Sequence, residues 1–130
     1  MVVALMLPPA GAIDADAAFV AELARGINAY RAEHGLKTLA IDARLTSLAR
    51  EHSSAMAKSR SMSHAGFESR FRASGYRTCV ENVGWNLRTP AAQLVAWRNS
   101  PPHDRNLRDA RIDKLGLAER DGYVTMLACA

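Results

Sequence analysis

Cysteine, proline and glycine are scarce in this chain of 130 residues, with two, five and eight of each, and no apolar run approaches a membrane span. A spanning helix needs about 18 consecutive apolar residues, so a multi-pass membrane protein is excluded. So few prolines and glycines also exclude collagen-like and disordered chains. Cys79 and Cys129 form no C-x-x-C pair and no Cys/His cluster of zinc spacing. There is no nucleophile elbow, phosphate loop or dinucleotide fingerprint. Lysine is also rare: fourteen of the seventeen cations are arginine, set against thirteen acids for a net +4. The arginines are spread along the chain, densest at Arg70, Arg72 and Arg77, with no basic run and no motif that reads DNA or RNA.

What is there fits one globular domain. The chain is 48% hydrophobic and 23% charged, and a domain of this size buries roughly two thirds of its unfolded surface without needing metals to hold it. Met1 to Leu7 is apolar and is followed by Pro8, Pro9 and small residues through Ala18, which resembles the end of a secretory signal. The first basic residue is Arg25, so no charged segment precedes that stretch. Residues 1–15 are read as a leader remnant or loose N-terminus, and 16–130 as the folded domain. Cys79 and Cys129 are read as a disulfide, with two buried thiols as the alternative. A bridge implies an oxidising compartment, periplasmic or outside the cell.

Apolar residues Phe19, Val20, Leu23, Ile27 and Tyr30 recur at helical spacing and predict a helix over 16–34, capped by Asp14 or Asp16 and ended at Gly35. A second helix is predicted from Asp42 as N-cap to about Ser59, and a short third over 67–73 ending at Gly75. Residues 78–87 alternate as a strand, with Glu81 on the face of Cys79, Val83 and Trp85. Thr89-Pro90 opens a further helix that Ser100-Pro101-Pro102 stops. Asp121-Gly122 joins the last two strands as a hairpin. Irregular alternation of helices and strands favours an α+β domain with an antiparallel sheet over a parallel doubly wound one.

The four histidines carry different expectations. His34 suits the end of the first helix, where its cation complements the helix dipole, and His52 on an apolar stripe reads as a hydrogen-bonded core histidine. His64 and His103 are placed in loops beyond helices, where side chains reach a cleft. Glu81 is a carboxylate in an apolar strand face with Asn82 beside it, and burying it requires a partner. The two imidazoles supply one, either as hydrogen-bonded cations or as neutral metal ligands.

Taken in order, several segments resemble one family. They are Ile27-Asn28-Ala29-Tyr30-Arg31 through Gly35-Leu36, Leu39 to Asp42 with Leu45, Ala49 and His52, Met62-Ser63-His64, Glu81-Asn82-Val83, and Trp97 to Ser100 with Pro101 and His103. The family is the CAP superfamily of cysteine-rich secretory, antigen 5 and pathogenesis-related 1 proteins, in its compact bacterial branch. The resemblance implies an exported single-domain α-β-α sandwich with a central antiparallel sheet flanked by helices. It implies a cleft at His64, Glu81, Asn82, Ser100 and His103, and ligands ranging from a divalent metal such as zinc to lipids, glycans or proteins. Pro102 stands where the motif ordinarily has glycine, and residues 112–129 hold no further histidine.

The expected function is therefore binding through the His/Glu cleft rather than catalysis. A metal-dependent hydrolase is the alternative, with His64 and His103 holding zinc and Glu81 as general base. Two nitrogens fall short of the three protein ligands that catalytic zinc usually has. A third reading uses surface arginines for adhesion or nucleic acid, and its signature is affinity that falls steeply with salt.

Overall fold

A computed structural model describes the backbone from Ala10 and the side chains from Asp16 to Ala130. Nine elements follow in order: α1 (Ala10–Glu33), β1 (Ala40–Ile41), α2 (Ala43–Ser59), α3 (Phe67–Ser74), β2 (Cys79–Trp85), α4 (Pro90–Arg98), α5 (Pro101–Leu107), β3 (Lys114–Arg120) and β4 (Tyr123–Cys129). The strands form one sheet in the order β1-β3-β4-β2. The residues read as a leader remnant lie outside the described ones as far as residue 9, and the backbone of 10–15 forms the first turns of α1.

The local signals explain most boundaries. Asp42 accepts from Leu45 N at 2.9 Å and caps α2, and Thr89 accepts from Ala92 N at 3.1 Å and caps α4. Asp121 (φ 50°) and Gly122 (φ 86°) both adopt the left-handed region, which a two-residue hairpin turn demands.

Three expectations need correction. The sheet is mixed, because β1 pairs parallel to β3 at Ala40↔Lys114 and Ile41↔Leu115 while β2, β4 and β3 are antiparallel. Two residues carry too little periodicity to read as a strand. Next, α1 already runs through Asp14 and Asp16, so neither caps its start; the alanines at 10, 12, 15, 17 and 18 favour helix ahead of the apolar stripe. Finally, Pro101 and Pro102 both stop α4 and begin α5. Proline drives the preceding residue into extended backbone, yet is itself accepted in a helix's first turn.

Helices cover both faces of the sheet. On one face α1, α4 and α5 enclose a core of Leu23, Ile27, Trp97, Leu107, Leu117 and Met126, all at 1% exposure or less. On the other, α2 packs so closely on β3 that a Cβ at Gly116 would sit 2.2 Å from the Leu45 backbone. Only glycine allows that approach. Ser53 of α2 and Thr125 of β4 share a hydrogen bond of 2.7 Å across this buried layer.

Cys79 and Cys129 face each other across β2 and β4, with Cα atoms 4.1 Å apart, and are joined in a disulfide. The bridge staples the edge strand β2 to its only neighbour, two residues before Glu81.

Candidate functional site

Glu81 stands on the α2 face of β2, and its side chain is 2% exposed. A carboxylate so buried needs compensation, and its main partner is an arginine. Arg70 of α3 donates from Nε to Oε2 at 2.7 Å and from Nη2 to Oε1 at 2.8 Å, a two-pronged geometry that suits guanidinium and carboxylate. Arg70 also donates to the carbonyls of Ala65 at 2.8 Å and His64 at 3.3 Å, and so fixes the loop between α2 and α3.

That loop delivers His64. Its Nδ1 lies 3.0 Å from Glu81 Oε1, and since a carboxylate only accepts, Nδ1 carries the proton. The ring is half exposed, at 52%, and Nε2 makes no hydrogen bond among the described residues. His52 is buried below. Its Nε2 lies 2.6 Å from the Ser63 carbonyl and 3.8 Å from Glu81 Oε1. Burial holds the His52 imidazole below its ordinary value and the Arg70 charge adds to this, opposed by the Ser63 carbonyl and Glu81. His52 is thus a neutral donor that braces both the loop and the carboxylate.

Asn82 points to the opposite face. It is fully buried, donates from Nδ2 to the His103 carbonyl at 3.1 Å, and accepts from Asn106 Nδ2 at 2.9 Å. Asn106 also reaches the Glu81 carbonyl at 3.2 Å. This network docks α5 on β2. His103 therefore sits in the first turn of α5 rather than in a loop, and Ser100 is the N-cap position with no side-chain cap bond. Burial, then the nearby His64 charge, lowers the His103 imidazole below its ordinary value. Because β2 is the sheet's edge, the two helical layers bring one histidine each around it.

The arrangement changes what Glu81 can do. Both oxygens are held by Arg70, one also by His64, so the carboxylate is the anchor of a buried ion pair and not a free base. Among the described residues no three His, Cys, Asp or Glu side chains gather as a metal cage. A divalent cation at Glu81 would stand against the guanidinium, leaving only His64 Nε2 and His103. This donor set does not fit the zinc expected of the hydrolase alternative.

Two members of the cluster lie beyond the sequence reading. Arg70 reads there as one of the dispersed cations, although Phe67, Arg70, Phe71 and Ser74 share one helical face, which is the legible signal. His52 is in the core as expected, but its contact with Glu81 depends on how α2 meets β2. Other arginines are also committed: Arg31 is fully buried on the carbonyls of Lys37, Leu107, Asp109 and Ile112, and Arg72, Arg108 and Arg111 pair with acids.

Among curated proteins, the chain is 33% identical over 104 residues to the uncharacterized protein YkwD of Bacillus subtilis, covering 75% of this chain and 39% of that protein. Among solved structures, it matches an extracellular protein containing an SCP domain from Bacillus anthracis, with TM-score 0.87, 24% identity, 95% of this chain and 44% of that one. A cysteine-rich secretory protein from Staphylococcus aureus matches with TM-score 0.82, 20% identity, and coverage of 95% and 41%. An outer surface protein from Borrelia burgdorferi matches with TM-score 0.76, 22% identity, and coverage of 84% and 90%. The chain thus spans about two fifths of the curated relative it matches. The model of the cysteine-rich secretory protein family, CAP, matches residues 24–122, and the chain belongs to that family.

Proposed function

We propose that this chain is an exported binding module whose ligand docks on the cleft at the β2 edge, against His64 and His103. The observation that carries this reading is the state of His64. A buried ion pair fixes one ring nitrogen at 3.0 Å from Glu81 while the half-exposed ring leaves the other open. Orienting an imidazole in this way defines one acceptor direction without supplying a base, a nucleophile or a metal cage. A polar ligand group that donates to His64 Nε2, such as a glycan hydroxyl or a lipid headgroup, suits that acceptor. Export is supported by the disulfide and by the extracellular and outer-surface relatives of the same fold, and no described helix is long and apolar enough to cross a membrane.

The test is a titration followed by NMR of the histidine ring carbons, with chito-oligosaccharide, laurate and zinc chloride as separate probes. The expected result is saturable shifts at His64 and His103 with the saccharide or the fatty acid, weakened about tenfold or more in His64→Ala. Zinc binding with His64-dependent stoichiometry would favour the metal reading instead. Shifts that ignore His64 for every probe would overturn the proposal.

A further inference from the structure

The two edges of the sheet are finished differently. Thr78 and Ala130 exchange both backbone bonds, so by antiparallel alternation Glu81 and Val83 turn their backbone groups to the outside of β2. There the Glu81 carbonyl takes Asn106 Nδ2 at 3.2 Å and the Val83 carbonyl takes Trp97 Nε1 at 3.0 Å. The β3 edge has no such caps. β1 meets it only at Lys114 and Leu115, and the last bond runs from Asp42 N to Leu115 O at 2.9 Å before α2 leads the chain away. The same alternation turns the N–H and C=O of Leu117 and Glu119 outward. Among the described residues no backbone or side-chain group bonds to them there.

This bare stretch lines a groove of about 890 Å³ between α1 and α2, at the opposite edge of the sheet from His64. Such a volume lies in the range of ligand sites. Leu117 and Ala118 form the floor, Val20, Ala21 and Ala24 the α1 wall, and Ile41, 60% exposed, stands at the end of β1. The rim carries both signs, Asp16 and Glu119 with Arg50 and Arg120.

We propose that the groove takes an extended peptide segment of a partner protein, added to β3 beside Leu117 to Arg120 as a continuation of the β1 ladder. A row of outward donors and acceptors over an apolar floor is what a main chain with alternating apolar side chains matches. The existing β1–β3 pairing sets its line and direction. The helices on either side leave room for one strand, whereas a second copy of this chain would bring its own α1 and α2 into the same space.

Hydrogen exchange on the full chain tests this, with a positional-scanning pool of capped hexapeptides as the probe. In the free chain the Leu117 and Glu119 amides should exchange at least tenfold faster than those of Ala118 and Asn82, which are bonded within the sheet. The bound pool should slow both by a similar factor. That protection should vanish with backbone N-methylated peptides and in Ala21→Trp, an exposed position where the indole fills the groove and an unchanged Tm shows an intact fold. Peptides that bind Ala21→Trp equally well, or a pool that protects neither amide, would overturn the proposal. Amides already slow in the free chain would also overturn it. If deletion of residues 1–9 released them, the occupant would be this chain's own leading segment; if dilution did, with loss of a dimer in sedimentation, it would be a second copy.

Discussion

Arg70 Nε and Nη2 grip the two oxygens of Glu81 at 2.7 and 2.8 Å, at a depth where the carboxylate is 2% exposed. Every other feature of the cleft is arranged around this pair. His64 leans on it, His52 lies beneath it, and Arg70 in turn holds the loop that carries His64. Removing one partner of a buried pair leaves an uncompensated charge and costs about 3 to 5 kcal/mol. Arg70→Met should therefore lower the unfolding free energy in urea by about that much, while Arg70→Met with Glu81→Leu recovers a large part of it. A single variant as stable as the parent would show that the pair contributes nothing to the fold.

Acid should weaken the protein through its buried histidines before its carboxylates titrate. His52 and His103 are both held below 6.5 in the folded chain, chiefly by burial, and unfolding returns them to it. Below pH 6.5 the unfolded chain then binds more protons than the native one. Stability is complete above that value and falls as the pH drops toward the folded values, by up to about 1.4 kcal/mol per pH unit for each group. The urea midpoint should drop between pH 7.5 and 5.5, and less so in His52→Gln, whose amide still donates to Ser63. Identical slopes in the two proteins would remove His52 from this account.

The disulfide closes a loop with a sequence separation of 50, for which chain entropy gives about 4 kcal/mol. Both cysteines of the chain are in the bridge. Cys79→Ser with Cys129→Ser should fold, since α2 and the β2–β4 ladder remain, but at a lower Tm. Alkylation of native, unreduced protein should add no mass, and labelling of both thiols would contradict the bridge.

Asn82 positions His103 through the backbone. Asn82→Leu keeps the volume but leaves the His103 carbonyl and Asn106 without their partner, at about 2 to 3 kcal/mol. The His103 ring resonances should move while those of His64, on the other face, stay within line width. Equal movement of both rings would mean that β2 itself had shifted.

Much of the fold is legible because its signals are local. Asp42 and Thr89 announce helix starts, Gly75 ends α3, and Asp121-Gly122 dictates a tight hairpin, each through the backbone geometry that its own residue favours. β1 is not legible, since two residues show no period. α5 is hidden because the prolines that stop α4 also begin it. In the site, His64, Glu81, Asn82 and His103 stand out by type and order, and the apolar strand face around Glu81 demands a partner for it. The partner's identity does not follow, because Arg70 is 11 residues away on a helix whose docking no local rule sets.

The sequence by itself determined the class of domain, the helix and hairpin boundaries, the family and the residues worth watching, all of which depend on short-range periodicity, capping chemistry and motif order. Only the tertiary structure decided that Glu81 belongs to Arg70 rather than to two imidazoles, that His64 keeps one nitrogen open, and that Cys79 meets Cys129. It also left one sheet edge capped and the other bare. These are pairings between segments far apart in the chain, fixed by sheet register and by how α2 and α3 pack on β2, and a burial cost states that a partner must exist without naming it.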